Sequence, residues 1–316
     1  LWQQKKTTEM NVPKIIYIGA ALTCTLPFID TPFALLLGII LAQTIKHPFL
    51  KTSKKLTHIL LQVSVVGLGF GMNAGQALDA GKQGLLFTVI SITTTLALGL
   101  FIGKRLKVDS NTSYLVSTGT AICGGSAIAA ISSIIKSNEK QISTALGTVF
   151  ILNSIALFLF PWIGHLLHLS QHQFGVWAAI AIHDTSSVVG AANQYGAEAL
   201  QIATTIKLER ALWIIPLAII SVFVFKSESK KIKIPYFIFL FVLAMLINTF
   251  VPGVQAAAPT IVAISKIGLK VTLFLIGSGL SKELIVSVGF KPFIQGVLLW
   301  AFISVLSLVV ILQTVL

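Results

Sequence analysis

Apolar runs follow one another along nearly the whole chain, broken only by short polar stretches that hold most of the charge. Read at ~20 apolar residues per bilayer crossing, they predict membrane spans at 14–28, 32–45, 56–73, 84–102, 111–135, 141–163, 172–192, 200–225, 234–250, 259–280 and 291–314. The first two are short, and the Ile29-Asp30-Thr31-Pro32 turn between them can lie within the membrane. No linker, low-complexity stretch or soluble segment interrupts the series. The pattern therefore predicts an all-α polytopic membrane protein of about 11 transmembrane helices, with 1–316 as a single transmembrane domain.

Composition excludes a soluble alternative. Of 316 residues, 55% are apolar and 10% charged, with a mean hydropathy of +0.91, whereas a soluble surface needs about 25% charged residues. Lys5, Lys6 and Lys14 before the apolar run 15–26 imitate a secretory leader, but no small-x-small cleavage pattern follows. The run reads as the first span. Cys24 and Cys123 sit in apolar sequence and form neither a disulfide framework nor a metal-ligand pattern.

The net charge of +13 does not point to nucleic acid, because the basic residues lie singly or in short clusters between spans. Sixteen Lys/Arg fall in the loops on the N-terminal side, three (Lys82, Lys136, Lys140) on the other, and four (Lys207, Arg210, Lys266, Lys270) inside spans. By the positive-inside rule this predicts a bacterial cytoplasmic (inner) membrane protein, N-terminus cytoplasmic and C-terminus outside. One loop fits poorly: 164–173 is assigned inside, yet offers only His165, His168 and His172.

An internal echo accompanies the spans. Val63-Ser64-Val65-Val66-Gly67-Leu68-Gly69-Phe70-Gly71-Met72 resembles Val271-Thr272-Leu273-Phe274-Leu275-Ile276-Gly277-Ser278-Gly279-Leu280, with Gly69 and Gly71 on Gly277 and Gly279. Seven spans apart, the two would run in opposite directions, as in the inverted repeats of alternating-access transporters. The alternative is that Gly-x-Gly recurs because glycine lets membrane helices pack closely.

Two spans break the apolar rule at mid-length. In the stretch from Thr118 to Ala130, Cys123-Gly124-Gly125-Ser126 makes a poor continuous helix, since each Gly costs ~1 kcal/mol relative to Ala. A break there starts a half-helix at Ser126 and offers free N–H groups to an anion; the competing reading is close packing through small residues. The second is His183-Asp184-Thr185-Ser186-Ser187. Each intramembrane charge costs ~2.5–3.5 kcal/mol on insertion scales and marks ion or proton pathways, and Asp184 also reads as the N-cap of a second half-helix. The alternative places His183 and Asp184 at the membrane surface. Lys207 and Arg210, three apart, share a helical face; they line an anion path or snorkel to the interface beside Glu209. Lys266 and Lys270 read as an amphipathic or interfacial face. Most of the five tryptophans lie near span ends, as belt anchors do.

At these segments the sequence resembles the bacterial YeiH-type family of sulfate exporters, within the bile acid, arsenite and riboflavin transporter superfamily. The resemblance rests on Gly119-Thr120-Ala121-Ile122-Cys123-Gly124-Gly125-Ser126-Ala127-Ile128-Ala129, Ile182-His183-Asp184-Thr185-Ser186-Ser187-Val188, and Lys207-Leu208-x-Arg210 with Pro216 downstream. The short paired N-terminal spans and the Gly-rich third span extend it over nearly the whole chain. Glu209 departs from the pattern, standing where a small hydroxylated residue is expected. The resemblance implies inverted repeats, two broken helices crossing near mid-membrane, often a homodimer, and a sulfate-like substrate.

The function expected from sequence is secondary active transport of a small inorganic or organic anion, such as a sulfate-like oxyanion or sulfonate for export. Cys123, Gly124, Gly125, Ser126, Thr185, Ser186, Ser187, Lys207 and Arg210 are the substrate-binding candidates, and His183 and Asp184 couple transport to H+ or Na+. An ionised Asp184 beside the anion would repel it, so a cation neutralises it or it turns away and orients His183. A different class is an intramembrane enzyme using Ser126 or Cys123 with His183 as base. Adjacent His and Asp are awkward for a triad, and neither an H-E-x-x-H motif nor a nucleophile elbow is present, so a non-enzyme is expected. A passive anion channel is the third reading; the chain has no repeated filter segment. No motif calls for ATP, a metal or an organic cofactor.

Overall fold

The computed structural model describes residues 2–45, 47–225 and 236–314. Lys46 and the Lys226, Lys230, Lys231 and Lys233 cluster lie outside them, as do the side chains of Lys5, Lys6, Lys51, Lys54 and Lys82. Among the described residues every regular element is helical: α1 (Trp2–Thr23), α2 (Thr31–Thr44), α3 (Leu50–Gly69), α4 (Ala74–Arg105), α5 (Ser110–Ala121), α6 (Gly125–Ile134), α7 (Glu139–Leu166) and α8 (Gln171–Ala181). There follow α9 (Thr185–Tyr195), α10 (Ala197–Leu212), α11 (Ile214–Val224), α12 (Tyr236–Phe250), α13 (Val254–Ser278), α14 (Lys282–Ser287) and α15 (Phe290–Thr314). Helices in α4, α7, α13 and α15 are long and apolar enough to cross a bilayer. Large apolar side chains such as Ile15, Phe223, Phe239 and Val305 are exposed, as a lipid-facing surface requires. The chain is an all-α polytopic membrane protein.

Backbone contacts divide it into two units. The first runs up to Met72 and adds Leu240–Lys282. Within it α13 packs along α2 and α3, and the Tyr17 hydroxyl joins Ser53 Oγ (3.1 Å) and Ser278 Oγ (2.9 Å) in its interior. Small residues set the α3–α13 contact: Ser64 lies against Gly268 and Ser265 against Gly67. Val63-Ser64-Val65-Val66-Gly67-Leu68 thus faces Ile264-Ser265-Lys266-Ile267-Gly268-Leu269. This likeness lies two helical turns away from the register of the Gly-x-Gly echo.

The second unit comprises Asn73–Phe239 and the chain from Glu283 onward. Here the course of the two broken segments differs from a simple crossing. Asn111 Nδ2 donates to Ile135 O (3.4 Å) and Gln141 Nε2 to Asp109 Oδ2 (2.8 Å). A continuous helix would hold positions 111 and 135 about 36 Å apart at ~1.5 Å per residue. So α5 and α6 are the arms of a hairpin, pressed together where Gly119 meets Ile128. The second segment does the same. Tyr195 Oη donates to Leu169 O (2.7 Å), Gln171 Oε1 accepts from Glu198 N (3.1 Å), and the Phe174 and Tyr195 rings stack at 3.8 Å. Segments 111–135 and 172–192 are thus not single crossings: each turns back at its break. The physical reason is length. Arms of 12 and 10 residues in one hairpin and 11 and 11 in the other reach about 15–18 Å, half of a ~30 Å hydrocarbon core.

The 28-residue α7 joins the end of one hairpin to the start of the other. Its length suffices for one crossing of about 42 Å, so the two hairpins start from its opposite ends. Capping boxes mark the points where α7 and α8 begin. Asn138 and Gln141 close the start of α7, and Ser170 and Gln173 close the start of α8, each satisfying end N–H groups where the chain leaves a loop for a helix.

Candidate functional site at the hairpin tips

The two tips meet. Gly124, with φ +62° and ψ −121°, occupies backbone space that L side chains rarely adopt. A Cβ there would also lie 3.1 Å from Val149 Cγ1 and 3.4 Å from Asp184 Cα and the His183 carbonyl carbon. Conformation requires glycine; the close contact a Cβ would make is with Val149, while the other tip would lie at van der Waals distance.

Each tip exposes helix ends that need partners in a medium without water. Asp184 is the N-cap of α9, accepting from Ser186 N (3.0 Å), from the Ser186 hydroxyl and from Ser187 N (3.4 Å). Lys207 Nζ donates to Ile182 O (2.7 Å) and Ala179 O (3.2 Å), closing the C-terminal end of α8. Arg210 Nη2 donates to Ala121 O (2.6 Å), closing the C-terminal end of α5, while its Nη1 reaches Ser91 Oγ on α4 (2.7 Å). Both cations are fully buried. Each meets the negative end of a half-helix, and their three-residue spacing on α10 lets one helical face hold both hairpins. Asn153 on α7 supplies the remaining support: its Oδ1 accepts from His183 N (3.0 Å) and Asp184 N (3.4 Å).

The sequence-predicted residues divide into two groups. Lys207 and Arg210 do not snorkel to an interface; they are built into the interior. Thr185, Ser186 and Ser187 are buried in the first turn of α9; Ser186 gives both its N–H and its hydroxyl to Asp184, Ser187 only its N–H. Cys123 is buried with Gly124 in the first tip, beside His183 and Asp184 in the second. Gly125 and Ser126 differ. They open α6, one residue earlier than the start expected at Ser126, its N-terminus carries no side-chain cap, and Ser126 is exposed within its unit.

Among the described residues several buried polar atoms on the segments that form or hold the tips have no partner: both ring nitrogens of His183, Asn153 Nδ2, Thr120 Oγ1, Arg210 Nε and both carboxylate oxygens of Glu209. An unsatisfied buried polar group costs about 1–3 kcal/mol; others lie elsewhere, among them Thr88 Oγ1, Gln295 Oε1 and Trp300 Nε1, and what marks the tips is that several fall on adjoining residues. The N–H and O–H groups among these are suited to an anion. Sequence reasoning missed Asn153, Ser91 and Thr120. A lone amide in the apolar run around Asn153 was the available signal for one of them; the other two are hydroxyls of a kind common in membrane helices. Among the described residues no group of three or more His, Cys, Asp or Glu could hold a metal ion.

The family model described as conserved hypothetical protein 698 matches residues 15–296. A UPF0324 membrane protein of Bacteroides thetaiotaomicron is 57% identical over 283 residues, covering 89% of this chain and 86% of its own. UPF0324 membrane proteins of Photobacterium profundum and Bdellovibrio bacteriovorus are 50% and 48% identical, covering 99% and 96% of this chain and 96% and 95% of theirs. No solved structure matches the chain.

Proposed function

This chain belongs to the conserved hypothetical protein 698 family, the UPF0324 membrane proteins, and on that premise we propose that it is a secondary active transporter of a small anion. The observation that carries this reading is the set of unpartnered donors around two apposed hairpin tips, next to an uncapped helix N-terminus. In favour of a ligand, His183, Asn153, Thr120 and Arg210 Nε keep buried polar atoms without a partner among the described residues. Gly125 and Ser126 offer N–H groups and a hydroxyl to the anion, and the partial positive charge of α6 favours it. Lys207 and Arg210 contribute positive potential while holding the tips in place. A sulfate-like oxyanion or sulfonate suits such a donor set.

Coupling is to H+ or Na+ through His183 and Asp184. Asp184 accepts hydrogen bonds from the first turn of its own helix, which offsets part of the repulsion expected from sequence. Its neutralisation would release the cap of α9 and shift one tip against the other.

The test is flux of labelled sulfate, with a sulfonate alongside, through the purified protein in liposomes under imposed pH and Na+ gradients. Gradient-driven uptake that Asp184→Asn loses and Ser126→Ala only weakens is the expected result. Gradient-independent single-channel currents would favour a passive pore, and hydrolysis abolished by Ser126→Ala an enzyme. Absence of any anion flux in folded protein would contradict the proposal.

A further inference from the structure

A cavity of about 390 Å³ lies at the base of the first hairpin, remote in sequence from the tips. It forms where α4 ends and where α5, α7 and α15 begin. Lys107, from the connection between α4 and α5, and Lys140 and Lys291, from the first turns of α7 and α15, line it. Among the described residues none of the three ammonium groups has a carboxylate within salt-bridge distance. The acid in the cavity wall, Asp109, is already engaged: its carboxylate accepts from Thr112 N and Oγ1 (3.0 Å each) and from Gln141 Nε2 (2.8 Å). Val108, Val288 and Pro292 add apolar surface to the wall.

We propose that this cavity binds a phosphate group at the membrane surface, presented by an anionic phospholipid headgroup. Three cations around one volume, none paired with a carboxylate among the described residues, repel each other and gain from a shared anion, and a pocket of this size has room for a phosphodiester with its glycerol. The mixed wall fits a headgroup, with ammonium groups for phosphate and Val288 and Pro292 for the start of the acyl region. Basic pockets between membrane helices are places where anionic headgroups settle. Free inorganic phosphate shares the recognised group and is the alternative source. Occupancy would tie together the ends of four helices, including the base of a hairpin whose tip is the proposed transport site. Neither the site nor its test requires that transport reading.

The experiment is thermal unfolding of the full chain in detergent, with added phosphatidylglycerol, phosphatidylcholine of the same acyl chains, or inorganic phosphate. Wild type is compared with the K107Q/K140Q/K291Q variant and with K14Q/K55Q/K104Q, which removes equal charge outside the cavity. Phosphatidylglycerol should raise the midpoint of wild type and of the outside variant by about 2–4 °C or more, and the cavity variant should lose that rise. Phosphatidylcholine should do nothing. An equal rise with inorganic phosphate, lost in the cavity variant, would keep the phosphate site but overturn the lipid as its source. No rise in wild type, or the same response in both variants, would overturn the site itself.

Discussion

Single residues at the tips carry distinct and separable consequences. Gly124→Ala forces a side chain into a φ of +62° and close to Val149. It should cost about 1–3 kcal/mol in thermal or denaturant unfolding, whereas Gly125→Ala meets only the movable edge of the Phe150 ring and should cost less. Lys207→Met strands the Ile182 and Ala179 carbonyls and should lose about 1–3 kcal/mol; a lysine acting only by long-range attraction would leave stability unchanged. At the hairpin base, hydrogen bonding, led by the Thr112 N–H, holds the Asp109 carboxyl below the usual carboxylate range. Its contribution is therefore complete above an ordinary value of about 4 and is lost as the pH falls through the lower folded value. Asp109→Ala should lower stability by about 1 kcal/mol at neutral pH, and the gap to wild type should close in that acidic window. The chemistry-bearing residues of both tips were legible in the sequence because polar groups at bilayer depth are costly. Their partners were not. Whether Ser186 and Ser187 serve a ligand or their neighbour Asp184 depends on a first-turn geometry that residue spacing leaves open.

At the scale of elements, hydropathy placed the helices well but misread their course twice. A hairpin with arms of 12 and 10 residues presents nearly the same apolar length as one crossing. The Gly124-Gly125 break and the Asp184 cap mark a discontinuity without saying whether the chain continues or returns. The deciding residues, Asn111 with Ile135 and Gln171 with Glu198, pair across more than twenty positions and carry no local pattern. Spin labels at Ser110→Cys and Lys136→Cys measure the difference directly. The hairpin requires a separation within about two helix diameters, ~20 Å, while an unbroken span of the same residues requires about 39 Å. Lys207 and Arg210 make the two hairpins one mechanical object, since a single face of α10 holds the blunt end of an arm from each. Movement of α10 would then be felt at both tips together.

For the whole molecule, two returning segments leave the sides of the termini unchanged but move what lies between the hairpins. Lys136 and Lys140 join Lys104, Arg105 and Lys107, and the 164–173 loop with its three histidines passes to the opposite side. The loop count on the N-terminal side becomes eighteen Lys/Arg against Lys82 alone. The loop that disagreed with the charge rule now obeys it, an independent line of support that came from the sequence only once the hairpins were known. Two hairpin tips that meet from opposite ends of α7 are an arrangement suited to alternate access, and the proposed transport reading depends on this topology. Its most direct test uses Lys104→Cys, Lys140→Cys and Leu167→Cys, labelled singly with a membrane-impermeant maleimide in intact and permeabilised cells, the native Cys24 and Cys123 being buried. Positions 104 and 140 should be protected in intact cells and labelled on permeabilisation, with 167 labelled in both. Labelling that puts 104 and 140 on opposite sides would show that segment 111–135 crosses the membrane, and would contradict the account.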